Sequence, residues 1–137
     1  LNKIIDFEGC KLTAYKCPAG VWTIGVGHTK GVKQGQTITK AQAMTLLKGD
    51  LLPCENYVNN LGVCKTQGEF DALVDFTFNL GTAALGRSTL LKYIRAKKPE
   101  QYIREEFAKW VNSKGMRLKG LVIRRQWEAD RYFGKEE

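Results

Sequence analysis

EGCKLTAYKCPAGVWTIGVGHT, residues 8–29, is the stretch on which the fold turns. Just ahead of it, Leu1, Ile4 and Ile5 fall at i, i+3 and i+4, so the chain opens as a short amphipathic helix. Glu8 is the next position on that apolar stripe. A carboxyl placed there faces protein, and partial burial favours its neutral form. A carboxylic acid kept neutral near pH 7 is what a general acid requires. Gly9 supplies a C-cap that ends the helix just past the acid. Leu12–Tyr15 and Val21–Val26 are rich in Val, Ile, Thr, Trp and Tyr. The turn-forming run Cys17-Pro18-Ala19-Gly20 separates them, which predicts a β-hairpin. Gly25 and Gly27 flank Val26 and mark a place where a ligand or another backbone comes close.

After the hairpin, Lys30 to Ile38 is a polar loop with room for a third short strand. Thr39 is the N-cap of a helix whose stripe is Ala41, Ala43, Met44, Leu46 and Leu47. Pro53 opens a second helix that runs to Leu61 and is stopped by Gly62. Thr66 and Glu69 form a capping box ahead of a helix that is apolar nearly all round, from Phe70 to Leu80. Such a helix lies at the centre of its lobe. Ser88 caps a helix through Ile94, and Pro99 begins another that reaches Trp110. Asn112 to Lys119 is a basic loop, and Leu121 to Phe133 closes the chain as a helix bearing Arg124, Arg125 and Glu128.

The chain has 137 residues and a formal net charge of +8. That length suits one domain with a real core, or two small lobes sharing a helix. No run of eighteen apolar residues exists to span a membrane. No signal peptide is visible. The first residue is Leu1, inside a helical pattern, which leads us to expect an upstream segment that was removed or left out. The positive charge favours an anionic partner. The basic residues form no arm or recognition-helix cluster, so bacterial cell wall is expected rather than specific nucleic acid. Four cysteines in a short chain suggest an oxidising compartment and allow three full pairings. No CxxC spacing occurs and there is a single His, so neither a metal nor a cofactor is expected.

Eight residues separate Glu8 from Cys17, five separate Cys17 from Thr23, and the run ends IGVGHT. This block resembles the catalytic block of the phage-type lysozymes, glycoside hydrolase family 24, in a variant with Cys where Asp is common. LLKGDLLP, FTFNLG, Lys109-Trp110 and GLVIRRQWE resemble further elements of that family. The resemblance implies an α+β fold: a small antiparallel sheet lobe from about Thr13 to Asn60, a helical lobe made of residues up to Leu12 and from Leu61 on, and a cleft between them. It implies a bacteriolytic muramidase, an endolysin that cuts between N-acetylmuramic acid and N-acetylglucosamine. Such a protein would work as a monomer in the periplasm or exported to the wall. Glu8 is then the acid, Cys17 the second catalytic position and Thr23 the group that places water. Asn79 is a substrate partner or a helix cap. Arg125, or else Arg124, reaches back to orient Glu8. His28 pairs with Asp50 and ties the hairpin to the next helix.

Cys17 must be a thiolate to act, whereas a free thiol has a pKa of about 8.5. Either a water held by Thr23 and Cys17 attacks, or Cys17 attacks and a thioglycosyl intermediate forms. A disulfide between Cys10 and Cys17 would silence the site until reduced, with Cys54 and Cys64 forming a separate bridge. The alternative is that Cys10 is a small buried side chain. Two other functions compete with the muramidase. One is a cysteine hydrolase using Cys17 and His28. The other is a basic module that binds wall glycan or nucleic acid and in which Glu8 is structural.

Overall fold

The computed structural model describes residues 2–113 and 115–135, so Leu1, the first member of the apolar stripe, lies outside the described residues. The fold is α+β: seven helices and two small antiparallel ribbons among the described residues. The chain divides into two compact units, Leu1–Pro53 and Cys54–Glu137.

In the first unit, helix α1 (Asn2–Glu8) buries Ile4 and ends at Gly9, whose N–H donates to the Ile5 carbonyl at 2.7 Å. Gly9 takes φ +73°, a conformation that costs glycine nothing. Strands β1 (Lys11–Lys16) and β2 (Trp22–Gly25) form the hairpin, with Tyr15 opposite Thr23 and Lys16 opposite Trp22. Lys11 pairs with Gly25, so β1 carries an irregularity between Lys11 and Tyr15. The third strand is reduced to one bridge, Thr13 to Thr37, on the outer edge of β1. The Gly31- and Gly35-containing loop leaves too few extended residues for more.

Helix α2 (Lys40–Leu61) begins at a reciprocal cap: the Gln42 N–H donates to Thr39 Oγ1 at 3.1 Å, and the Thr39 N–H donates to Gln42 Oε1 at 2.8 Å. It continues through Pro53, where the sequence predicts a break and a fresh helix. An interior proline loses one hydrogen bond and presses on the carbonyl four residues back. Here that residue is Gly49, with open space around it, and Leu47, Leu51 and Val58 are buried on either side of the proline.

The second unit is helical. Helix α3 (Gln67–Leu80) starts at Thr66, whose Oγ1 accepts from the Glu69 N–H at 3.1 Å. It is followed by α4 (Thr82–Arg87), α5 (Thr89–Arg95) capped by Ser88, and α6 (Glu100–Ala108). A short ribbon of β3 (Asn112–Ser113) and β4 (Met116–Arg117) leads into α7 (Lys119–Tyr132). Phe76 of α3 meets Phe107 and Trp110 edge-on, at ring-centre distances of 6.1 and 5.5 Å. A Cβ on Gly68 would collide with the Arg131 carbonyl, so α3 and α7 approach backbone to backbone at that point.

Along the α3–α7 seam the contact becomes ionic. Asp75 takes Arg124 in a two-point clasp at 2.8 and 3.0 Å, with both side chains buried. Glu128 is wholly buried, and Arg125 Nε lies 3.1 Å from its Oε1, out of line for a hydrogen bond. Burial, then the neighbouring Asp75, push the Glu128 carboxyl well above the ordinary glutamate value of 4.5. Its interaction with Asp75 thus favours the neutral form of Glu128. Burial pushes the Asp75 carboxyl up, but bonds from Glu128 and Arg124 outweigh this and hold it down.

These shifts have opposite linkage. Glu128 binds its proton more tightly in the folded chain, so its contribution is complete below about pH 4.5 and is lost as pH climbs through the raised value. Asp75 contributes above its ordinary range, and its share is lost as pH falls. Glu128→Gln leaves a neutral group in place and is expected to flatten the alkaline fall in stability. Asp75→Ala strands Arg124 and is expected to cost about 3 kcal/mol or more. Urea unfolding of both variants across pH checks this; an unchanged alkaline slope in Glu128→Gln contradicts a neutral Glu128.

Candidate active site

Within the first unit, the hairpin and α1 bring Glu8 to the Gly25–Gly27 turn. Ile24 and His28 bond reciprocally, at 2.8 and 3.0 Å, and Gly25 and Gly27 both take positive φ to close the loop between them. A Cβ built on Gly27 would stand 3.1 Å from Glu8 Oε1 and 3.5 Å from its carboxyl carbon. Glycine at that position makes room for the half-buried acid. A Cβ on Gly25 would meet Ala43 of α2 at 3.4 Å, so the same turn also seats the hairpin on α2.

Cys17 occupies the opposite end of β1. Its N–H donates to the Val21 carbonyl at 2.9 Å and its carbonyl accepts from Gly20 at 2.8 Å, which makes a tight turn of residues 17–20. The backbone N–H groups of Val21 and then Ala19 hold the Cys17 thiol below its usual range, against a smaller push up from burial. Inward-turned amides of this kind form an anion nest. Thr23 is buried, and its Oγ1 donates to the Val21 carbonyl at 3.0 Å. Tyr15, its cross-strand partner, has its phenol pushed up by burial first, then by the charges of Glu8 and Cys17. The structure therefore gathers Glu8, Tyr15, Cys17 and Thr23 around one hairpin. Tyr15 had not been singled out from sequence; its alternation with Cys17 along β1 was the available signal.

His28 Nδ1 lies 2.7 Å from Asp50 Oδ2, and Nε2 lies 2.9 Å from the Lys30 carbonyl. Both ring nitrogens thus face oxygens that only accept. That leaves no ring nitrogen to activate Cys17, which removes the support for a cysteine hydrolase. The redox switch also fails. No disulfide is formed by any of the four cysteines. Cys10 and Cys17 lie at opposite ends of β1, Cys10 next to the residue that pairs with Gly25 and Cys17 next to the one that pairs with Trp22, and no bridge joins them. Cys54 and Cys64 likewise form no bridge, and burial followed by the Glu69 charge pushes the Cys64 thiol up to about 11.

In the second unit, Arg125 is buried over the Phe76 ring, 5.3 Å from its centre, and its Nη2 donates to Asn79 Oδ1 at 2.6 Å. That bond fixes the amide with its NH2 group turned away from Arg125. Arg124 is committed to Asp75. Asp75 and Glu128 were missed as members of this cluster. A single Asp inside the otherwise apolar α3 was the sign of a buried partner. Among the described residues no group of side chains is arranged to hold a metal ion.

The phage lysozyme family model matches residues 5–128. An endolysin of Acyrthosiphon pisum secondary endosymbiont phage 1 is 39% identical over 127 residues, covering 89% of this chain and 86% of that protein. In structure the chain is similar to the muramidase domain of SpmX from Asticaccaulis excentricus, with TM-score 0.85 and 35% identity over 96% of this chain and 92% of that one. It is also similar to the active form of the P1 phage endolysin Lyz, with TM-score 0.83 and 29% identity over 96% and 82%.

Gly27→Ala adds a methyl group against the Glu8 carboxyl in a left-handed backbone conformation. We expect a stability loss of about 1–2 kcal/mol and a fall in turnover larger than that loss explains. Thermal melts and initial rates on cell-wall suspensions check this; wild-type rates in a folded Gly27→Ala protein contradict the close seating of Glu8.

Proposed function

The chain belongs to the phage lysozyme family, and from that premise we propose how its residues carry the reaction. The protein is a bacteriolytic muramidase of endolysin type, a glycoside hydrolase acting on the β-1,4 bond between N-acetylmuramic acid and N-acetylglucosamine in peptidoglycan. The finer assignment is ours. Glu8 donates its proton to the glycosidic oxygen as the bond to the anomeric carbon breaks. The Cys17 thiolate, in its nest of N–H groups, steadies the positive charge that develops there. Water held by Thr23 and Cys17 adds to the anomeric carbon and passes a proton to the sulfur.

What supports this reading is a carboxyl at the end of α1 and a thiol at the hairpin turn that is shifted toward its anion, with Tyr15 in the field of both. Nucleophilicity falls as thiol pKa falls, and a sulfur anion engaged by several donors is better suited to stabilise charge than to attack. Inversion at the anomeric carbon is therefore the expected outcome. Asn79, with its amide fixed by Arg125, is proposed to donate to a substrate carbonyl or hydroxyl. The protein would work as a monomer, in the periplasm or exported to the host wall, where a net charge of +8 favours the anionic polymer.

Glu8→Gln should reduce lysis by about 10²–10⁴-fold while leaving sedimentation with purified peptidoglycan intact. Cys17→Asp should keep activity, because a carboxylate can fill the same role, whereas Cys17→Ser should lose it. Proton NMR of freshly released product reads the anomer. Substantial lysis by Glu8→Gln overturns the acid assignment, and a retained anomer with a trapped thioglycosyl adduct overturns the water route.

A further inference from the structure

From Phe107 to Trp127 the chain carries six Lys and Arg residues and no Asp or Glu. The same stretch holds three of the chain's seven exposed large hydrophobic side chains among the described residues: Met116 at 67%, Leu118 at 41% and Ile123 at 51%. They lie on and just after the β3–β4 ribbon, at the entry to α7. Leu118 keeps the extended backbone of β4, with φ −110° and ψ 128°, so Met116 and Leu118 emerge on one side of it. Ile123 faces out from α7 while Arg124 and Arg125, its successors, are buried. Arg117 and Lys119 are exposed on either side of Leu118 and form no ion pair with a described residue. The mechanism proposed above uses none of these five side chains.

We propose that this edge of the helical unit docks on the surface of an anionic lipid bilayer, with Met116, Leu118 and Ile123 entering the headgroup–acyl boundary and Arg117 and Lys119 meeting lipid phosphates. Peptidoglycan supplies hydroxyls, amides and carboxylates, which serve the cations but offer the three hydrocarbon side chains nothing to dissolve in. A bilayer with anionic headgroups satisfies both sets. Long cationic side chains next to buried apolar ones can extend to the phosphate level. Trp127, half-buried one turn beyond Ile123, is the residue type that favours that boundary. Docking of this kind is peripheral: no helix among the described residues is long and apolar enough to cross a membrane.

The full chain is to be sedimented with vesicles of phosphatidylcholine alone and of phosphatidylcholine with phosphatidylglycerol, at low and moderate salt. Partition should be roughly tenfold higher on the anionic vesicles. M116S/L118S/I123S should lose about tenfold of it, and R117Q/K119Q should lose the preference for anionic lipid. Leu118→Ser alone, a milder change, should lose part of it, and melting curves confirm that each variant is folded. Hydrolysis of purified peptidoglycan should be unchanged throughout. Wild-type protein that stays in the supernatant overturns the proposal. So does a triple-serine variant that sediments as well as wild type, which would mean attraction by charge alone. A wild-type dimer that the triple variant dissolves also overturns it, because the patch would then be covered by a second copy.

Discussion

The first unit depends on a close approach between a carboxyl group and a backbone turn. Glu8 ends α1, and the space its carboxyl fills is the space a side chain on Gly27 would need. The acid is therefore positioned by what the turn lacks. The same turn is shaped by reciprocal Ile24–His28 bonds and stands on Ala43 of α2, while His28 is held by Asp50 of that helix. A displacement of the turn, of α2 or of α1 would move the acid, so the placement of the proposed acid and local folding are enforced by the same contacts.

The second unit solves a different problem. Four ionisable groups are buried where α3 meets α7, a placement that costs several kcal/mol per isolated charge. The cost is contained because burial and Asp75 favour the neutral form of Glu128, Asp75 clasps Arg124 in two bonds, and Arg125 lies over Phe76 with its end on Asn79. What emerges at the surface is an amide with a set orientation. Polar burial of this sort is weak as a source of stability. It is effective as a means of fixing one side chain, and here that side chain is a candidate substrate partner.

Much of this was legible in the sequence, for local reasons. Thr39, Thr66 and Ser88 announce helix starts through bonds that involve residues only three positions away. The hairpin follows from β-branched and aromatic runs around the turn at residues 18–20; it carries Cys17 and Thr23, with Glu8 just ahead of it at the end of α1. What could not be read depends on distant partners or on cancelled penalties. Pro53 normally ends a helix, and nothing next to it in sequence reports that Leu47, Leu51 and Val58 are buried on either side of it. The proximity of Cys10 and Cys17 in sequence suggested a bridge, whereas an extended strand turns seven residues into a long separation. The upward shift of the Glu128 carboxyl comes from burial and then from Asp75, more than fifty positions away along the chain, and leaves no local trace.

The central claim is that a sulfur anion, stabilised by backbone N–H groups, serves where a carboxylate would be expected. Thiolate ultraviolet absorbance, titrated in the wild type against Cys17→Ala, measures this group directly. The account predicts a midpoint below that of an ordinary thiol, matching the pH at which muramidase activity is half lost on the acid side. A Cys17 midpoint at or above about 8.5, in an enzyme still active near neutral pH, would contradict it.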